Sequence, residues 1–166
     1  MWEAYILKTN IPGRDWMARK RDDEALLLSN QLCFAVYSTA HALNRVYKPL
    51  LDALALTYPQ YLVMLTLWER DAPTVKEIGQ LLHLDSGTLT PLLKRLEAAG
   101  LVRRRRDPAD ERQVRIGLTQ KGKALRDRAR SVPHEILCAS GRSAGDLQAL
   151  KMALVGLRDR LNAAAA

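Results

Sequence analysis

The chain has 166 residues, enough for one sizeable core and a single domain. Its 26 basic and 18 acidic side chains leave a charge of +8, and residues 103–130 hold eleven Lys and Arg against only Asp107, Asp110, Glu111 and Asp127; an excess so concentrated points to a polyanion, most commonly nucleic acid. No apolar run reaches the length of a membrane span, and "MWEAYILKTNIPGRDW" lacks a signal peptide's apolar core and cleavage site, so a soluble, cytoplasmic protein with reduced cysteines is expected.

Residues 1–24 show no clear amphipathic period and are expected to be a poorly ordered N-terminal extension. "MARKRDDEALLLSN" reads as a protein start at Met17, which makes Met1–Trp16 an expected upstream extension. From Leu28 to Val46, Leu32, Val36 and Leu43 recur at helical steps, and Pro49 is expected to end or kink that helix before a short turn in "LLDALA". Thr57 is the expected N-cap of a second helix, with Pro59 tolerated in its first turn; this helix is apolar nearly all round and should be central.

Thr74 then caps a helix to about Leu82, "HLDSG" turns the chain, and a second helix runs to Ala99, stopped by Gly100. Two short helices joined so tightly make a helix-turn-helix. "LVRRRRDPADERQVRIGL" predicts a β-hairpin with strands Leu101–Arg106 and Gln113–Leu118 and "DPADE" at its tip. Thr119 caps a helix expected to reach Leu137 with a kink at Pro133, and the last helix is expected over Asp146–Asn162. Surplus apolar surface on the end helices implies a homodimer.

A helix-turn-helix followed by a basic hairpin is a winged helix, so the expected fold is mainly α with a small β-hairpin wing. Its second helix should enter the major groove of double-stranded operator DNA and present Ser86, Thr88, Thr90, Lys94 and Arg95. The wing offers Arg103, Arg104, Arg105 and Arg106 before the tip and Arg112 and Arg115 after it for phosphates or a minor groove. Asp107 or Asp110 is expected to pair with Arg112 and stiffen the tip.

In "LCFAVYSTAHALNRVYKPLL", Cys33, Tyr37 and Tyr47 fall close to one helix face. Spacing alone leaves two readings open, a buried core stripe and a functional thiol. Together with "LTYPQYLVMLTLWERD" and "LHLDSGTLTPLLKRLEAAGLVRRRRDPADERQVRIGLTQKGKAL", this stretch resembles the MarR family of dimeric winged-helix repressors, and specifically the OhrR-type organic hydroperoxide sensors of the two-cysteine kind. The resemblance covers about Leu27–Leu137. It implies dimerisation helices at about 25–56 and 131–163 around a winged helix-turn-helix at about 57–130, all in one domain over 25–166.

The resemblance also implies that Cys33 is the peroxide-reactive thiol, that two tyrosines among Tyr37, Tyr47 and Tyr58 contact it, and that Cys138 is the resolving thiol. These cysteines stand 105 positions apart, so no CxxC motif links them; the resemblance implies a bridge that crosses subunits and shifts the spacing of the two recognition helices on a pseudo-palindromic operator. Phe34, Val36, Val46, Leu50 and Trp68 are expected to line an apolar approach for alkyl hydroperoxides. Two rivals stand beside this reading: a repressor answering to a non-covalent phenolic ligand, and a thiol peroxidase. A metal sensor is disfavoured, because His41, His83 and His134 lack ligand spacing. No cofactor, membrane partner or enzymatic turnover is expected.

Overall fold

The computed structural model describes residues 24–165, so the extension expected over residues 1–24 lies, but for Glu24, outside the described residues. The chain divides into two units after Leu43. The first holds a short 3-10 turn, Leu28–Asn30, and the opening of helix α1 (Leu32–Asp52). Leu32, Phe34, Val36, Tyr37 and Leu43 are all exposed there.

The remainder of α1 belongs to the second unit, and the helix runs through Pro49 rather than ending there. An interior proline costs about 3 kcal/mol. The turn beyond it buries Leu51, Leu54 and Leu56, and each buried leucine contributes about 1.5–3 kcal/mol. Burial therefore outweighs the lost hydrogen bond. The chain reverses only at Ala55, whose φ is +56°, with the Leu54 and Leu56 amides both donating to the Leu51 carbonyl at 3.0 Å.

Helix α2 (Tyr58–Glu69) starts after Thr57, whose amide donates to Gln60 Oε1 at 2.8 Å. It buries Tyr61, Val63, Met64, Thr66 and Leu67 and is central, as its apolar run predicts. Helix α3 (Val75–Leu82) opens on a reciprocal cap: the Thr74 amide donates to Glu77 Oε2 at 2.7 Å, and the Glu77 amide donates to Thr74 Oγ1 at 3.2 Å. After a turn through His83 (φ +53°), helix α4 (Ser86–Ala98) begins at the side chain of Asp85. It ends where Gly100 adopts φ +70° and the Leu101 amide reaches the Leu96 carbonyl at 3.0 Å. Leu89, Leu92, Leu93 and Leu96 form the inner face of α4.

Strands β1 (Val102–Arg106) and β2 (Val114–Leu118) pair antiparallel, with Val102 opposite Leu118 and Arg106 opposite Val114. The Ile116 amide also donates to the Pro73 carbonyl at 2.9 Å, which ties β2 to the start of α3. The single kinked helix expected after Thr119 is instead two, α5 (Gln120–Ala129) and α6 (Val132–Ser140). Proline lacks the N–H an interior turn needs but fits a first turn, so Pro133 sits at the start of a new helix. The last helix, α7 (Ala144–Ala164), starts two residues before the expected Asp146 because Ser143 caps it, accepting from the Asp146 amide at 3.1 Å.

Packing at Gly122 of α5 joins three elements. Trp68 Nε1 donates to its carbonyl at 2.9 Å, and a Cβ added at Gly122 would collide with the Leu101 carbonyl. Gly122→Ala is expected to destabilise by about 1–3 kcal/mol, lowering the circular-dichroism melting temperature by about 2–4 °C per kcal/mol. An unchanged melt would mean that helix and strand can separate without cost.

Candidate nucleic-acid interface and redox thiols

Helix α4 presents Ser86, Thr88, Lys94 and Arg95 to solvent and half-buries Thr90. Thr88 is not free to donate. Its amide gives a 2.9 Å bond to Asp85 Oδ1 and its hydroxyl a 2.8 Å bond to Oδ2, and both hold the Asp85 carboxyl below its usual range. Thr88 is therefore part of the cap that orients the helix, and Ser86, Lys94 and Arg95 remain the exposed donors.

In the wing, the expected pairing of Arg112 with Asp107 or Asp110 gives way to another. Asp107 pairs with Arg115, whose Nε lies 2.6 Å from Oδ2, and Arg115 also donates to the Ala72 carbonyl at 3.1 Å. Arg112 meets Asp110 through its backbone N–H, at 3.1 Å. Strand alternation explains the change. The Asp107 amide bonds the Gln113 carbonyl, so Arg115 lies diagonal to Asp107 on the same face while Arg112 faces away. Asp107 is buried, and bonds from the Ala109 amide and then Arg115 hold its carboxyl below the usual range.

The wing arginines fall into two groups, by strand alternation except at Arg106, which ends β1 opposite Val114 and yet lines the far side. Arg104 and Arg112 line a cleft of about 970 Å³ beside Ser86 and the start of α4. Arg103, Arg105, Arg106 and Arg115 line another, of about 870 Å³, on the far side. Glu97 Oε1 accepts from the Arg104 amide at 3.0 Å, and Arg104 Nε is buried without a partner among the described residues.

Both cysteines are free and exposed. In the first unit Cys33 lies one helical turn before Tyr37, which packs edge-on to His41 with centroids 4.3 Å apart. In the second unit Tyr47 stacks against Tyr58 at 4.8 Å and Tyr61 at 6.1 Å. Burial, then the neighbouring phenols, pushes the Tyr47 hydroxyl up to about 12, and burial raises Tyr58 and Tyr61 too. These phenols stay protonated and keep an O–H to donate. Tyr61 has no place among the residues expected from sequence, although the Tyr58–Tyr61 spacing puts both on one side of α2.

Among the expected apolar lining, Phe34, Val36 and Val46 are exposed, whereas Leu50 and Trp68 pack on the core. Cys138, on α6, has its Sγ 3.8 Å from Nδ1 of His134 one turn earlier. His41, His83 and His134 lie on separate elements, and among the described residues no three His, Cys, Asp or Glu gather as metal ligands. No helix among the described residues is long and apolar enough to cross a membrane.

The profile of the family described as transcriptional regulator SarA/Rot matches residues 45–129. The HTH-type transcriptional regulator TtmR of Methylorubrum extorquens (strain PA1) is 51% identical over 154 residues, 93% of this chain and 79% of that protein. The organic hydroperoxide resistance transcriptional regulator of Bacillus subtilis (strain 168) is 50% identical over 135 residues, 81% of this chain and 92% of its own length. AbfR of Staphylococcus epidermidis is among the similar solved structures. Reduced and bound to DNA, it superposes with a TM-score of 0.70 at 36% identity, over 84% of this chain and 98% of that one. With its disulfide formed, the TM-score is 0.57 at 34% identity, over 90% and 97%.

The wing's order carries a pH signature. A carboxyl held below its ordinary value in the fold lends stability that is complete above the unfolded value and is lost as the pH falls through the folded one. For Asp107 that loss begins below about pH 4. The urea midpoint is expected to drop between pH 7 and pH 3.5, and Asp107→Asn to narrow the drop without abolishing it, because Glu77 and Asp85 shift in the same direction. An equal drop in variant and wild type would show that the Asp107 charge does not hold the wing.

Proposed function

The chain belongs to the SarA/Rot-type family of winged-helix transcriptional regulators, and we propose that within it this protein is a homodimeric, cytoplasmic repressor that senses organic hydroperoxides through Cys33. What carries the reading is an exposed thiol on the opening helix of a chain half identical to a regulator named for organic hydroperoxide resistance. The exposed apolar side chains of α1 and α7, Phe34, Val36, Leu150, Met152 and Leu154 among them, supply surface a dimer would bury. Ser86, Thr90, Lys94 and Arg95 meet the major groove of a pseudo-palindromic operator, and Arg104, Arg105, Arg106 and Arg112 meet phosphates along the wing. Thr88 and Arg115 serve by holding helix and wing in place.

In the chemistry, the Cys33 thiolate attacks the peroxide oxygen and becomes a sulfenic acid as the alcohol leaves. The Cys138 thiol of the partner subunit then displaces water and closes a disulfide. Two thiols and one hydroperoxide yield one disulfide, one alcohol and one water. Phenols that keep their protons, Tyr47 and Tyr58 with Tyr37 nearby in sequence, are suited to donate to a thiolate and stabilise it. A disulfide forms only when the two α-carbons come within about 7 Å. Drawing the end helices to that separation alters the spacing of the recognition helices, and losing about 3–4 kcal/mol of contact lowers occupancy several hundredfold.

Cumene hydroperoxide is expected to release the protein from its operator in a gel shift, and dithiothreitol to restore binding. Cys33→Ser should stay bound in peroxide, which also separates this reading from a phenolic ligand, to which that variant would still respond. On non-reducing electrophoresis a peroxide-induced covalent dimer should vanish when either cysteine is replaced. Its persistence in Cys138→Ser would remove Cys138 from the mechanism. Peroxide consumed beyond one equivalent per thiol pair would argue for a peroxidase instead.

A further inference from the structure

The cleft on the far side of the wing is too basic to be a bystander. Arg103 and Arg105 of β1 line one side, Lys123 and Arg126 of α5 with Arg130 just past it the other, and Arg70 follows the end of α2. All six are exposed, and among the described residues only Arg130 has a carboxylate partner, Asp127 at 3.2 Å. Glu69 and Asp71 also line the cleft but leave it strongly positive. Its floor is open at Gly117, which stands opposite Arg103 in the ladder and has nothing within 4 Å of where a side chain would start.

We propose that this cleft is a second phosphate-binding surface, which takes the DNA backbone flanking the operator, beyond the segment read by α4. The proposal rests on the DNA-binding reading above and extends it to Arg70, Lys123, Arg126 and Arg130, residues outside the helix-turn-helix and the wing tip. Two features favour a phosphodiester path over a compact ligand. The cations are long, solvated and spread along two rims about a groove of about 870 Å³, which suits a chain of phosphates better than one oriented molecule. The aromatic group present, Trp68, has its N–H committed to the Gly122 carbonyl and so offers no polar handle for a base. Both faces of this hairpin border basic clefts. Its near face shares the α4 cleft through Arg104 and Arg112, so its far face, with α5 behind it, is turned toward the next stretch of backbone.

The test compares two duplexes by fluorescence anisotropy. One is trimmed to the inverted repeat that footprinting defines, and the other carries about ten further base pairs at each end. Wild type is expected to bind the longer duplex about tenfold more tightly, with a steeper salt dependence, by about 0.9 in log–log slope for each added phosphate contact. Lys123→Glu combined with Arg126→Glu, two exposed positions on α5, should erase that advantage while leaving affinity for the short duplex unchanged. Equal loss on both duplexes would overturn the proposal, as would a wild type indifferent to length. Indifference to length together with a melting temperature raised by tripolyphosphate in wild type alone would give the cleft to a small polyanion and overturn it equally. Binding to the inverted repeat no better than to random DNA would instead defeat the regulator reading itself, so the two failures are distinct.

Discussion

The wing depends on where one carboxylate sits. Asp107 is buried at the end of β1 and accepts from the Ala109 amide and the Arg115 guanidinium, and Arg115 in turn donates to the Ala72 carbonyl in the loop between α2 and α3. A buried charge without such partners would be expensive. With them, a two-stranded hairpin that is marginal by itself becomes anchored to the body of the domain. The Ile116 amide on the Pro73 carbonyl adds a backbone tie beside it. Both basic clefts take their shape from this anchorage, since each uses one face of the same two strands.

Much of this was legible in the sequence, because the signals were local. Thr57, Thr74 and Thr119 stand at helix starts, Gly100 takes the left-handed position that ends α4, and the strand boundaries differ from expectation by one residue. What escaped was settled by long-range packing. Pro49 stays inside α1 because of leucines buried further along the chain, and Pro133 begins a helix instead of bending one. The partner of Asp107 follows from register, which is visible only once the two strands are aligned. That Trp68 joins α2 to α5 depends on a carbonyl 54 residues away.

The candidate redox chemistry divides in the same way. Cys33 and Cys138 stand out in a chain with two cysteines, and a family resemblance gives each a role. The behaviour of the phenols is instead a product of folding. Tyr47, Tyr58 and Tyr61 crowd together, and removal from water keeps their protons on far above neutral pH. A hydroxyl that will not ionise is a dependable donor, so their burial suits them to an anionic neighbour whichever atom bears the charge.

The contact at Gly122 has a consequence for how such a chain can change in length. Helix geometry turns each residue by about 100° relative to the last, so one residue gained or lost between Thr119 and Gly122 would swing the bare position away and turn a lysine, Lys121 or Lys123, toward the Leu101 carbonyl. The exposed wing tip around Pro108–Glu111 meets no packed carbonyl, so it tolerates a change in length wherever the Ala109 amide keeps its place on Asp107. Insertions and deletions should therefore accumulate at the tip and be purged four residues past β2, leaving the hairpin free to lengthen but not to tilt.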